Sequence, residues 1–385
     1  MLERQHIERQ ISGAYSVALD TFNLRTPGPT PLPDPVLEAL TSPMINHRGP
    51  EFKKLLDDTT DKLKQVFMTK EDVFILTASG TGALEASIVN TLSPGDKVIA
   101  CSAGSFGDRY VEIAKTYGAD VVEIICEWGD AISPDLIEQS IKENPDVKAV
   151  IITHNETSTG VTHDLEGICS AVKNNSEALI LVDAVSSLGS VPLPVDGWGC
   201  DVVSTGSQKS FMIPPGLAFI SFSERAWKAY ETAKMPKSYF DLGAAKKSLE
   251  QGQTPWTPNI SLFYALDVAL DMMLAEGIEN IFIRQSDVAE YTRQSMKDLG
   301  FKLLPSDERW ASDTVTAVHI PDGLDSSKFM KTMKDSEKIV LAGGQGKLSG
   351  RIFRVGHLGA VVKEDIEEVV AAMKRILPEL GHISG

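Results

Sequence analysis

Between residues 73 and 209, short apolar runs alternate with amphipathic stretches. Val73–Thr77, Lys97–Cys101, Val121–Cys126, Val147–Thr153 and Ala178–Val182 are predicted as strands. The stretches between them are predicted as helices at Ala83–Leu92, Arg109–Tyr117 and Leu165–Lys173, and another starts at Ser133-Pro134. Gly118 closes the second of these helices, and Ser133-Pro134 supplies a cap and a first-turn proline. A further short run, Asp201-Val-Val-Ser-Thr205, reads as a strand beside Ala178–Val182. Near-continuous apolar strands interleaved with helices imply a mostly parallel sheet covered on both faces. Such sheets bind ligands beyond the carboxyl ends of their strands. Upstream, Thr26-Pro27-Gly28-Pro29-Thr30-Pro31-Leu32-Pro33 is too rich in proline for a regular element and is expected as a fixed loop.

The pattern changes after about Thr257. Ile260–Leu274 and Ile281–Leu299 are predicted as long helices, the second linking two domains. Leu303-Leu304, Thr314–Ile320 and Ile352–Val355 read as strands, and Ser327–Lys334 as a helix. The last helix, Lys363–Leu377, places Ile366, Val369, Val370, Met373 and Leu377 on one face. The expected organisation is an N-terminal arm over residues 1–24, a large α/β domain over 25–257, and a linker helix with a smaller α+β domain over 258–385.

Composition narrows the function. At 385 residues, with 42% apolar and 23% charged positions, the chain can bury an ample core. A net charge of −16 disfavours nucleic acid or an anionic membrane as the main partner, so any anionic ligand needs a local cradle. The N-terminus has no apolar signal-peptide core, and no apolar run approaches the roughly 20 residues of a bilayer span. Cys101, Cys126, Cys169 and Cys200 are dispersed, which suggests neither a disulfide framework nor a zinc knuckle. His47, His154 and His357 lack metal-ligand spacing, so no metal site is expected. The expectation is a cytoplasmic, reduced protein.

The candidate chemistry sits at the strand ends. The run Ala178–Val182 delivers Asp183, and the Asp201 run delivers Gln208 and Lys209. If the two runs are neighbours, a carboxylate and an amine meet at one sheet edge. Pyridoxal 5′-phosphate (PLP) needs that pair: a lysine condenses with its aldehyde, and a carboxylate keeps its ring nitrogen protonated. An ordinary strand-end aspartate and a surface lysine would look the same in isolation. Ser79-Gly80-Thr81-Gly82, between a strand and a helix, fits a phosphate cradle. It is neither GxGxxG nor a Walker A loop, which disfavours a dinucleotide or triphosphate. Phe106 suits stacking on a flat heteroaromatic ring and reads equally well as a core residue. Asn155-Glu156-Thr157-Ser158-Thr159-Gly160 supplies hydroxyls, or is a plain loop. Arg351 and Arg354 face opposite sides of one strand, so one of them can grip a carboxylate through its fork.

Taken together these stretches resemble the class V aminotransferases of the fold-type I PLP enzymes, nearest to the serine/alanine–glyoxylate group. The resemblance covers essentially the whole chain and implies a large domain built on a mostly parallel sheet of the seven-stranded type, with a smaller C-terminal α+β domain. It is carried by residues 79–85, 106–109, 154–160, 182–187 and 206–209, with Thr-Pro-Gly-Pro-Thr near the start and Phe353-Arg354-Val-Gly-His-Leu-Gly359 near the end. It implies that Lys209 holds PLP covalently and, once released, moves a proton between the substrate α-carbon and the cofactor. It implies Asp183 at the ring nitrogen, Phe106 stacked on the ring where the family also uses tryptophan, and Val185 beneath it. Ser79, Gly80, Thr81 and Gln208 would hold the phosphate, with Thr257 reaching in from a second subunit of a homodimer. Thr157 would bond the phenolic oxygen, Arg354 the substrate carboxylate, and the Gly28 backbone would lie opposite. The implied reaction moves an amino group from serine or alanine to glyoxylate or pyruvate by ping-pong. The rivals are transamination of 2-aminoethylphosphonate with pyruvate or of ureidoglycine with glyoxylate, and a cysteine desulfurase-type lyase. The lyase needs a nucleophilic cysteine in the small domain, and no cysteine follows Cys200. A catalytically silent protein of this fold is disfavoured by the presence of both Asp183 and Lys209.

Overall fold

The structure, a computed structural model, describes residues 22–382. The expected arm lies outside the described residues up to position 21. A seven-stranded sheet forms from β1 (Asp72–Leu76), β2 (Lys97–Ser102), β3 (Asp120–Ile125), β4 (Ala149–Thr153), β5 (Leu179–Asp183), β6 (Val202–Gly206) and β7 (Ala218–Phe222). Their order across the sheet is β1-β7-β6-β5-β4-β2-β3. All pairings are parallel except those of β7, which runs antiparallel to both β1 and β6. The mostly parallel, two-sided α/β sheet expected from the sequence is therefore present.

The apolar runs read from the sequence supply six strands of the seven-stranded type of sheet that the resemblance implies; the one they leave out is β7, although Ala218-Phe-Ile-Ser-Phe222 is apolar. Only the loop 207–217 separates it from β6, too little for the helical crossover that a parallel partner needs, so the chain returns antiparallel. Side chains along the central strands alternate between two buried clusters. Val150, Ile152, Ile180, Val182, Val203 and Phe219 face one side, against the helices Pro50–Phe67 and Ile260–Glu276. Ala149, Ile151, Leu179, Leu181, Val202 and Ile220 face the other, against the helices Gly80–Thr91 and Ser105–Thr116. This period-2 partition of uniformly apolar strands is what a sheet covered on both faces requires.

Two helix starts differ from expectation. The helix expected from Ala83 begins at Gly80, and that expected from Arg109 begins at Ser105. Phe106 therefore sits in a first helical turn. After the long helices Ile260–Glu276 and Ile278–Asp298 the chain builds a three-stranded antiparallel sheet from Val315–His319, Ile352–Gly356 and Ala342–Gly343. Val288, Met296, Phe329, Phe353, Val369 and Met373 form a separate buried cluster around it. Leu303 makes only an isolated bridge to Val318 in place of the expected strand. Asn23–Leu24 pairs in parallel with Ile339–Val340, which ties the start of the described chain to its C-terminal layer. Among the described residues no helix is long and apolar enough to cross a membrane.

Phe219 is fully buried opposite Ile75 and Thr205, and its ring meets that of Phe211 edge to face, with centroids 4.7 Å apart. Phe211 lies two residues beyond Lys209. Phe219→Ala should cost about 3–5 kcal/mol, read by urea unfolding. A loss below about 1 kcal/mol would show that the contact does not anchor this part of the sheet.

Candidate active site

β5 and β6 lie side by side in parallel, with Asp183 opposite Ser204. Asp183 ends β5, and the chain leaving β6 carries Lys209 five residues beyond Ser204. Both side chains are buried. Oδ1 of Asp183 accepts the Val185 N–H at 2.9 Å. Burial raises this carboxyl to about 6, with a further push from the charge of Glu156; the Val185 N–H, Arg109 and Lys209 oppose the rise. The Lys209 amine donates to the Pro27 carbonyl. Burial lowers it to about 8, and Arg354 and Arg109 add to the fall while Asp183 opposes it. A Cβ on Gly28 would stand 2.6 Å from Lys209 Cδ and Nζ, and the φ of +121° there also favours glycine. The proline-rich loop thus walls the lysine with bare backbone.

Beyond the strand ends the small-residue turn closes on the same place. Ser79 stands at the cap position of the helix Gly80–Thr91 but its side chain makes no capping hydrogen bond, so the positive end of the helix is left for another partner. A Cβ at Gly80 would meet Val185 Cγ2 at 2.7 Å, so Val185 packs onto the turn. A Cβ at Gly206 would lie 3.0 Å from Gln208 Oε1 and 3.4 Å from Gly80 Cα, which places Gln208 beside the turn as well. Gln208 Oε1 is buried without a hydrogen-bond partner. Arg109 Nη1 donates to Thr81 Oγ1 at 3.4 Å, and its guanidinium carbon lies 5.0 Å from the Phe106 ring centroid. Arg109 is a residue to which the sequence reading gives no role. The signal for it is position alone, one helical turn after Phe106.

On the other side of the lysine, the loop after β4 carries Thr157, whose hydroxyl donates to Ser186 Oγ at 2.7 Å. Arg354 arrives from the strand Ile352–Gly356, while Arg351, expected on the opposite face of that strand, lies in the turn just before it and is exposed. Arg354 Nε and Nη2 donate to the Gly343 carbonyl at 3.0 and 2.7 Å, and Nη1 donates to the Thr157 carbonyl at 3.0 Å. Burial lowers this guanidinium to about 10, against which Glu156 pulls upward. Thr257 is exposed, in a loop where Asn259 N bonds Thr77 Oγ1 at 3.4 Å and Trp256 stacks on Tyr239 at 5.9 Å. Lys209, Asp183, Gly28 and Arg354 thus share one buried centre, and Ser79, Gly80, Thr81, Val185 and Gln208 form its rim. Among the described residues no hydrogen bond is seen from Thr257 to either group.

These residues fit PLP. An amine kept near neutrality, a buried carboxylate without a cationic hydrogen-bond partner and an orphaned amide oxygen beside a helix start are the groups that a pyridinium aldehyde phosphate engages. Among the described residues no group of three or more His, Cys, Asp or Glu side chains could hold a metal ion.

Comparison with known proteins agrees. The sequence model of the family described as Aminotransferase class-V matches residues 23–357. A protein of Anabaena cylindrica named soluble hydrogenase 42 kDa subunit is 48% identical over 94% of this chain and 95% of its own length. The L-aspartate–glyoxylate aminotransferase of Paracoccus denitrificans is 35% identical over 92% of this chain and 91% of its own. The serine–glyoxylate aminotransferase of Methylorubrum extorquens is 36% identical over 93% and 92%. The crystal structure of an alanine–glyoxylate aminotransferase from Nostoc sp. superposes with a TM-score of 0.90 at 31% identity, over 96% of this chain and 99% of that one. A family match over most of the chain, on a sheet that gathers Asp183 and Lys209 at one edge, establishes that the chain belongs to the class V aminotransferases, PLP-dependent transaminases of fold type I.

Proposed function

We propose that this transaminase moves the amino group of a small amino acid, serine or alanine, to glyoxylate or pyruvate by ping-pong. The amino acid leaves its amino group in the site and departs as an oxo acid before the acceptor enters. The observation that carries the reading is Arg354. Three of the five N–H donors of this buried guanidinium are spent on backbone carbonyls, and no acid side chain is hydrogen-bonded to it among the described residues. Two donors remain, the number that a carboxylate takes in a bidentate pair. Amino acids and 2-oxo acids both bring one. Relatives named for serine and for aspartate share glyoxylate as acceptor, which supports the acceptor more firmly than the donor.

PLP, when bound, supplies an electron sink for the pair of electrons left on the substrate α-carbon. The remaining work falls to the chain. Lys209 would hold the cofactor and, when not bonded to it, would carry the proton between the substrate α-carbon and the cofactor. Asp183 would pair with the ring nitrogen and keep it protonated. Phe106 and Val185 would hold the ring between them. Ser79, Gly80, Thr81 and Gln208 receive the phosphate, and Thr157 the phenolic oxygen. Arg354 orients the substrate carboxylate with the Gly28 backbone opposite. We read residues 25–257 as the cofactor-binding domain and 258–385 as the linker helix and small domain of a cytoplasmic homodimer. The exposure of Thr257 and Ser79 agrees with a second subunit completing the phosphate site.

Titrating the purified protein separately with serine, alanine, aspartate and 2-aminoethylphosphonate tests the assignment by absorbance. Serine or alanine should convert the bound cofactor to its amine form, and glyoxylate should restore it. Conversion by neither donor defeats the assignment, and conversion by aspartate or the phosphonate alone selects a rival donor. Lys209→Ala should retain PLP binding yet lose most turnover, and full turnover would remove Lys209 from the chemistry. Arg354→Ala should raise KM for carboxylate substrates by roughly ten- to a hundredfold, and an unchanged KM would refute its role.

The buried amine has a thermodynamic signature. Its value is about 8 in the folded chain against 10.5 for an ordinary lysine. Folding therefore carries a penalty that is complete below about 8 and disappears as pH rises beyond 10.5. Lys209→Met apoprotein should be more stable than wild type by on the order of a few kcal/mol at neutral pH, with the gain vanishing as pH approaches that upper value. Equal stability of the two apoproteins at neutral pH in urea unfolding would contradict it.

A further inference from the structure

Glu156 is a buried carboxylate to which none of these roles gives work. It leaves the loop after β4 and meets the amino end of the helix Ser105–Thr116. Oε2 accepts the N–H groups of Phe106 at 3.1 Å and Gly107 at 2.9 Å. Oε1 accepts the Ser158 N–H at 3.0 Å and the Ser158 hydroxyl, and that hydroxyl oxygen accepts the Ser105 N–H at 2.9 Å. A helix start normally takes a short polar side chain at its cap. Here the cap position is Gly104, which supplies none, and a Cβ there would stand 2.4 Å from Glu156 Cγ and Cδ. The chain therefore brings a charge from 50 residues away and clears space for it.

The position of that charge is informative. The next residue, Thr157, holds Arg354 through its carbonyl. Glu156 acts electrostatically on both Arg354 and Asp183, and Arg109 and Lys209 also face Asp183. Burying a carboxylate is costly unless hydrogen bonds replace its water, and a mere cap is available more cheaply at the surface. We propose that Glu156 is a positioning residue for transamination: it fixes the Phe106 ring through the first turn of its helix and tempers the charge that Arg354 offers to a substrate carboxylate. The proposal rests on the roles assigned above to Phe106 and Arg354.

Two substitutions separate the two effects. Glu156→Gln keeps the shape and removes the charge. Gly104→Ala keeps the charge and displaces it, and the backbone there is extended, so alanine adopts it without strain. The measurements are the PLP dissociation constant of each apoprotein by fluorescence, the visible circular dichroism of the bound cofactor, and kcat and KM with glyoxylate and the active donor. Glu156→Gln should weaken PLP by roughly ten- to a hundredfold and lower kcat, while KM for the donor falls because Arg354 has lost its counter-charge, and a KM that does not fall would overturn the Arg354 part of the proposal. Gly104→Ala should weaken PLP and lower kcat without that fall in KM. In both, the visible dichroism should shrink as the ring loses its fixed neighbour. Wild-type PLP affinity and dichroism in folded Glu156→Gln would overturn the proposal. So would parallel changes in kcat and KM in both variants that merely track a lowered Tm, since that marks a plain helix cap. If Glu156→Gln does not fold, Gly104→Ala decides alone through affinity and dichroism. Wild-type protein that binds PLP but transaminates no donor defeats the functional assignment instead, and that control is read first.

Discussion

Two parallel strands, β5 and β6, hold the site together through their register. Because they run in one direction and pair residue by residue, whatever leaves their carboxyl ends must emerge at the same edge. Asp183 and Lys209 are neighbours for that reason alone. The turn at Gly80, the loop bearing Glu156 and Thr157 and the strand bearing Arg354 are then packed around a location that the sheet has already set. Antiparallel β7 completes the sheet without disturbing that edge, since it lies beyond β6 on the side away from β5.

The site is electrostatically unrelaxed. A lysine, two arginines and two carboxylates crowd one volume, yet the described hydrogen bonds of Lys209 and Arg354 go to backbone carbonyls. Surface charges in this arrangement would pair off and be spent. Here the protein holds cation and anion close enough to feel each other while leaving their bonding capacity for a bound molecule. Burial makes that arrangement unfavourable in the empty protein and selective in the loaded one.

Much of this was legible in the sequence, and the exceptions share a cause. Strand identity follows from apolar runs, which deliver Asp183 and Lys209 to strand ends; their meeting at one edge is conditional on the two runs being neighbours, and the parallel β5–β6 pairing meets that condition. Arg354 is the buried arginine and Arg351 the exposed one, but Arg351 lies in the turn before the strand, so strand alternation is not what separates them. What escaped depends on contacts between distant segments. The helix Ser105–Thr116 starts four residues before the position expected because its capping group is Glu156 and not a local side chain. Gly80 enters its helix where a glycine reads locally as a turn, and the reason is the approach of Val185. Strand β7 is an edge case of another kind, since its antiparallel course depends on the length of the loop before it. The partners of the buried glutamate and the antiparallel course of β7 therefore depend on contacts that periodicity, which sees only near neighbours along the chain, does not report.

The first described residues take on a different meaning from this vantage. Asn23–Leu24 is zipped to Ile339–Val340, the Arg25 carbonyl accepts the Gly356 N–H at 2.7 Å two residues beyond Arg354, and the Pro27 carbonyl accepts the Lys209 amine. Two residues of backbone separate those last two anchors, a span of at most about 7 Å. The stretch is therefore a ruler. It gauges the gap between the arginine strand and the reactive amine with peptide geometry, which does not stretch, in place of side chains, which do.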